Sequence, residues 1–287
     1  MHSLWILASS FLFTLCALFV KLLDAPFTGF ELVFYRSIFG VAIMLTCLAA
    51  AHDSVRTQHL VGHFKRSTAA WLSMVMWMAG LPLIPLATSM TLGNTTPIVI
   101  AGVVIFLSII RKQSISWKLI AAILSGFAGI VLMLRPTFSP SEMQGCLLIV
   151  GSCCVSAYSY FQIRELSVMH ESSYRIVFYV SLFGFVYSLA CVLIFERGFT
   201  PVDMHDFICL CAMGLSAGFG QLCLTFGFGK GNMLLSSCLQ YSSIVFSQIF
   251  GFFLFSETLD GFGLAGMALI AVSGVYATMV TSHHHKA

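Results

Sequence analysis

Charge is scarce in this chain. Its 287 residues include 14 Lys or Arg and 11 Asp or Glu, together 9%. A soluble domain carries about 25% charged residues. With so few, the chain cannot clothe an aqueous exterior, which excludes a water-soluble globular fold. Motifs are missing too. No HExxH is present, so a metalloprotease centre is not expected, and no Walker A loop, so this chain does not drive itself with ATP. The ten cysteines all lie inside apolar segments, with no CxxC or Cys/His ligand spacing. They read as small hydrophobic filler, and no metal and no cofactor is expected. Every Asp and Glu falls near a loop or a helix end, so no carboxylate marks a coupling-ion site at mid-membrane. The tract His283–His285 is assigned no function.

What the chain has is long apolar runs. Ten segments of roughly 20 residues fit membrane-spanning helices. They cover 3–21, 30–51, 69–88, 93–110, 117–134, 145–163, 175–195, 206–228, 232–255 and 261–281. None alternates with period two, which excludes barrel strands. The first run has no Lys or Arg before it and no clean cleavage site after it, so it is expected to be a retained helix. The expected fold is therefore an all-α integral membrane protein of ten transmembrane helices. With the N-terminus inside, ten Lys or Arg fall on the inner side and four on the outer. The positive-inside rule then predicts N-in and C-in.

The chain also repeats itself. Residues 32–40 read LVFYRSIFG and residues 176–184 read IVFYVSLFG, 144 positions apart and identical at six of nine positions. The one change of character is Arg36 against Val180. The offset holds along the chain, which divides it into five-helix halves at 1–135 and 144–281, with a cytoplasmic tail at 282–287. Five is odd, so the second half enters the membrane upside down. The result is a five-plus-five inverted repeat, the architecture of many secondary transporters.

The chain resembles the EamA-type members of the drug/metabolite transporter superfamily. The resemblance spans nearly the whole chain and rests on FELVFYRSIFG at 30–40, NTTPIV at 94–99, QYSSIVFSQIFGFFLFSETL at 240–259 and GLAGMALIAVSGV at 263–275. Tyr241, Gly251, Glu257, Gly266 and Gly274 match the family's later pattern, whereas Gln113 stands where a Glu often ends the fourth helix. The resemblance implies a multi-pass protein of the bacterial inner (plasma) membrane, with a central cavity for a small-molecule substrate. It implies a secondary transporter rather than an enzyme, exporting small amino-acid-like metabolites by alternating access. The alternative it implies is uptake of a nucleotide-like cofactor such as S-adenosylmethionine or riboflavin. The expected partners are the substrate and the lipid bilayer. No nucleic acid is expected, and a homodimer is compatible with the sequence.

Arg36 is the leading candidate for the substrate pathway. It lies about six residues, or roughly 9 Å, into the second segment. A cation there must face the bundle interior, a partner or water. It is read as meeting an anionic substrate group, or else pairing with Glu31 or Glu257. Trp77, Gln162, Gln221, Gln240, Tyr241 and Gln248 are the other polar side chains at depth, and Trp77 and Gln221 correspond across the repeat. Buried glutamines need hydrogen bonds, so these residues are expected to line the cavity or bridge helices. Tyr35, Tyr158 and Tyr179 fit either the cavity or an interfacial aromatic belt. Glu257 is the candidate coupling or structural carboxylate. Asn94 and Thr95 are read as helix caps, and Pro82 and Pro85 as a kink inside the third helix.

Overall fold

A computed structural model describes residues 2–96, 98–99, 139–196, 198–231, 239–256 and 261–284, with scattered positions between 102 and 132 and Ser236. Among the described residues every regular element is helical. In chain order these are α1 (Trp5–Lys21), α2 (Gly29–Ala50), α3 (Leu60–Gly80), α4 (Leu86–Gly93), α5 (Pro140–Val168), α6 (Ser173–Cys191), α7 (Met204–Lys230), α8 (Ser242–Phe255) and α9 (Gly261–His284). Among the described residues, five stretches are long and apolar enough to cross a bilayer: His2–Lys21, α2, α5, Ser173–Glu196 and α7. The second of these two extensions is a π-helical turn, Val192–Glu196. Large apolar side chains face outward along the helices, among them Phe207, Phe219, Val245 and Phe253. Lipid, not water, is the solvent that tolerates such a surface.

Local chemistry starts the helices. Thr28 Oγ1 accepts from Glu31 N while Glu31 Oε2 accepts from Thr28 N at 2.9 Å, a reciprocal capping box at the head of α2. Ser139 and Glu142 do the same for α5, with Pro140 preset in the first turn. Ser172 accepts from Arg175 N at the head of α6, and Asp203 from Asp206 N at the head of α7.

Two expectations about the third helix are corrected. It starts at Leu60, nine residues before the predicted start, and ends at Gly80. The polar run His63, Lys65, Arg66, Ser67 and Thr68 suppresses hydropathy there without breaking the helix. Pro82 and Pro85 accordingly lie beyond it. Pro82 sits in a 3-10 turn, Leu81–Leu83, and Pro85 is the residue before α4. A proline has no N–H to continue a helix, so the pair separates two helices instead of kinking one.

The helices pack in pairs that the 144-residue offset exchanges. α1 packs on α7 and α3 on α5, while α2 packs on α6. Adding 144 to α1, α2 and α3 lands within α5, on α6 and within α7. The α2–α6 contact is the closest seam. A Cβ on Gly40 would overlap Ser181 Oγ, and one on Gly184 would come within 2.7 Å of Ser37 Oγ. Gly40 and Gly184, like Ser37 and Ser181, are equivalent positions of the repeated nonapeptide. Each glycine thus receives the other copy's serine, which is the close approach that small residues permit between membrane helices.

Candidate substrate cavity

A cavity of about 150 Å³ lies between α1, α2, α3 and α4 on one side and α5, α7 and α8 on the other. That is room for roughly ten water molecules. α1 contributes Ser9, Ser10 and Phe13, and α3 contributes Arg66, Ser73, Met74 and Trp77. α5 adds Ser152, Cys153, Ser156, Ser159 and Tyr160, while Asn94, Gln221, Gln240 and Ser243 close the ring.

The helix faces explain this lining. On the first four turns of α3 the buried residues are His63, Arg66, Ser67, Ala70 and Ser73, whereas Leu60, Val61, Phe64 and Leu72 are exposed; Met78 and Gly80 are buried nearer its end. Polar residues at three- and four-residue spacing therefore make the inner face. The amphipathicity is that of a water-soluble helix turned inside out.

Arg36 is 8% exposed and Arg66 is 1% exposed. Arg36 Nη2 donates to Gln221 Oε1 at 3.0 Å, and its guanidinium lies 5.5 Å from the centre of the Phe13 ring. Arg66 Nη1 donates to Ser159 Oγ at 2.8 Å, while its Nε is buried without an acceptor among the described residues. No Asp or Glu occurs among the described lining residues. A mid-helix guanidinium costs about 2.5–3.5 kcal/mol on insertion scales. Two of them beside only neutral acceptors make the cavity strongly attractive to an anion.

The remaining lining is set for hydrogen bonding. Asn94 Nδ2 donates to Met90 O at 2.7 Å and to Ser243 Oγ at 2.6 Å. Ser9 donates to Gly220 O at 2.9 Å, and Ser73 and Ser156 share a short hydroxyl bond. Gln240 Nε2 donates to Tyr160 Oη at 3.4 Å, and Gln240 Oε1 is buried with no partner among the described residues. The Tyr160 ring stacks on Phe228 at 5.0 Å.

Of the residues singled out from sequence, Arg36, Trp77, Gln221 and Gln240 line this cavity. The others stand elsewhere. Tyr35 packs among Phe27, Phe34 and Phe199. Tyr158 is exposed, and Gln162 donates to Glu165 Oε2 at 2.9 Å on the surface. Tyr179 Oη donates to Val55 O at 2.9 Å. Tyr241 is buried in an apolar cluster with Ile84, Ile98 and Ile244, and Gln248 is half-buried outside the cavity lining. Glu257 lies outside the described residues. Glu31 is not paired with Arg36, because Thr28 N, Thr200 N and Thr200 Oγ1 occupy its carboxylate. Asn94 and Thr95 lie between α4 and the helical residues that begin at Thr96: Thr95 O accepts from Ile98 N and Val99 N, while the two side chains bond back to Met90 O and Leu92 O.

Arg66 and Tyr160 were not foreseen. Tyr160 lies midway between Tyr158 and Gln162, and two residues along a helix turn it to the opposite face. The glycine-serine-glycine pattern at 214–218, GLSAG, also needs its context. A nucleophile elbow sits between a strand and a helix. Here Ser216 is inside α7, donating to Ala212 O and Met213 O at 2.7 and 3.0 Å.

Two clasps join the halves at the bundle's ends. At one end, Glu31 of α2 binds Thr200 in the loop before α7. At the other, Arg175 of α6 binds Asp53 Oδ1 at 2.7 Å, Ser54 O at 2.8 Å and Glu171 Oε2 at 2.8 Å. Positions 31 and 175 correspond across the repeat. Hydrogen bonding from Ser172, opposed by burial and aided by Ser54 N and Arg175, holds the Asp53 carboxyl below its usual range. Burial pushes Glu171 up, but Thr57 and Arg175 together with His63 outweigh it, and its carboxyl is also lowered. His63 Nε2 stands 3.5 Å from Glu171 Oε2. A third polar group, Asp24, His205 and Asp206, is mostly exposed, and Asp206 is already bound by the Asp24 and Ala25 amides.

Residues 143–279 match the EamA-like transporter family. The chain is 27% identical over 267 residues to a pseudopaline exporter of Pseudomonas aeruginosa, covering 92% of this chain and 91% of that protein. It is 22% identical to an S-adenosylmethionine uptake transporter of Rickettsia prowazekii, covering 93% and 88%. A transporter of Helicobacter pylori with no assigned substrate is 24% identical over 94% and 92%. A solved crystal structure superposes with a TM-score of 0.71 over 98% of both chains at 19% identity, which shows a shared fold.

Proposed function

We propose that this chain is a secondary transporter of the EamA-like type, whose family model its residues 143–279 match, exporting small amino-acid-like metabolites by alternating access. The observation that carries the reading is the buried Arg36, set on a hydroxyl- and amide-lined cavity and bonded only to the neutral Gln221 among the described residues. A guanidinium in that setting receives a substrate carboxylate, while Gln240, Asn94 and the serines suit the rest of a polar metabolite. The exchange of helix pairs by one offset supports a five-plus-five inverted repeat, and the distribution of Lys and Arg supports N-in and C-in.

The uptake alternative draws on the S-adenosylmethionine transporters among the relatives and on Phe13, Trp77 and Tyr160, which offer ring faces in the cavity. Two buried cations without a lining carboxylate disfavour a sulfonium substrate, which is itself a cation.

Metabolite profiling of cells with and without the gene tests the proposal. Export predicts that an amino-acid-like solute accumulates inside on deletion. Arg36→Ala is expected to abolish that transport while the protein still reaches the membrane. Transport at the normal rate by this variant removes the role of Arg36.

A further inference from the structure

We propose that Arg66 completes a two-point anion site with Arg36, so that the transported molecule is an elongated acid carrying at least two acidic groups. This rests on the transporter reading and narrows its substrate class.

Four observations converge on Arg66. It lines the same cavity as Arg36 and is the more deeply buried of the two. Its Nε has no acceptor, and its Nη1 is held only by the neutral Ser159 among the described residues. A planar guanidinium fork is matched by a carboxylate or phosphate in bidentate contact. The described cavity wall supplies no such acid, so it must arrive with the cargo. Interfacial anchoring does not account for Arg66 either. Its neighbour Lys65 is exposed and already serves that purpose, while Arg66 turns to the interior.

The spacing adds a shape requirement. Arg36 is the eighth residue of α2 and Arg66 the seventh of α3. These consecutive helices run in opposite directions, so each arginine enters from a different end. At 1.5 Å per residue both lie about 10 Å deep in helices of about 32 Å, which separates their backbones by on the order of 10 Å along the bundle. Phe13, Met74, Trp77 and Tyr160 line the same cavity. The cargo that fits carries two acidic groups set far enough apart for each to meet one guanidinium.

Two measurements test this. In the first, cells expressing wild type, Arg36→Gln, Arg66→Gln or Arg66→Lys are profiled for solutes lost to the medium, with each variant's membrane level checked by immunoblot. Exported solutes with two or more acidic groups, reduced at least tenfold by Arg66→Gln and partly restored by Arg66→Lys, support the site. If wild type exports solutes with one acidic group or none, and Arg66→Gln exports them equally well, the diacid inference fails while the transporter reading stands. If wild type moves no solute, both fail. In the second, purified wild-type protein is melted with straight-chain α,ω-dicarboxylates of four to ten carbons or with the matching monocarboxylates. A Tm rise confined to the longer diacids is expected. Equal responses to diacids and monoacids overturn the proposal whether or not Arg66→Gln folds.

Discussion

Arg36 and Val180 are equivalent positions, yet only one is charged, and the α2–α6 seam supplies a reason. Both side chains line one small pocket beside Ser37, Ser181 and Gln221. Equivalent residues meet there, so a second arginine would face the first across the seam with no carboxylate in the lining to separate them. Like charges at such range repel strongly in a poorly screened interior. Val180→Arg is therefore expected to lower the amount of folded protein in the membrane severely, whereas Val180→Leu is tolerated; fluorescence-detected gel filtration of the two variants distinguishes them. The charged position was legible in the sequence because the repeat placed a neutral residue beside it as a reference. Arg66 was not, because it falls before the predicted start of the third segment at 69 and outside the repeated nonapeptide. The clue was the spacing of His63, Arg66, Ala70 and Ser73, but the predicted helix began too late to contain its first two members.

At the scale of the helix, the nonapeptide works as a fastener. Gly40 accepts Ser181 and Gly184 accepts Ser37, so the motif's Ser and Gly are held by backbone proximity. Gly40→Ala must displace Ser181, and overpacking of this kind costs about 1–3 kcal/mol. A lowered Tm in detergent is expected for Gly40→Ala and no change for Gly102→Ala, where a Cβ meets nothing within 4 Å. Long apolar runs made α1, α2, α5, α6 and α7 readable to within a few residues, because a bilayer-spanning helix must be apolar over most of its length. The connection from α3 to α4 was not readable. Pro82 and Pro85 stop a helix or bend it depending on whether neighbouring chain satisfies the freed backbone groups, which is a tertiary matter. Tyr158, Gln162 and Tyr179 stand outside the cavity lining for a related reason. Depth in a segment says how far a residue is from the interface, and only helix rotation says which way it faces.

For the whole molecule, the two end clasps tie neighbouring segments together at the two ends of α2. Asp53 and Glu171 are both lowered by folding, so their stabilising effect is complete above their ordinary values of 3.8 and 4.5 and is lost as pH falls further below them. The Tm gap between wild type and Asp53→Asn is expected to be open at about pH 7, worth up to about 1 kcal/mol, and to narrow under acid. A gap that widens on acidification contradicts this. The clasps also differ in kind. Arg175 grips through full ion pairs, one of them to the partly exposed Asp53, whereas Glu31 grips an amide and a hydroxyl of Thr200. Dissolved salt weakens the first and leaves the second nearly untouched. Ionic strength thus loosens one end of the bundle and spares the other, two fastenings cut to one pattern from different materials.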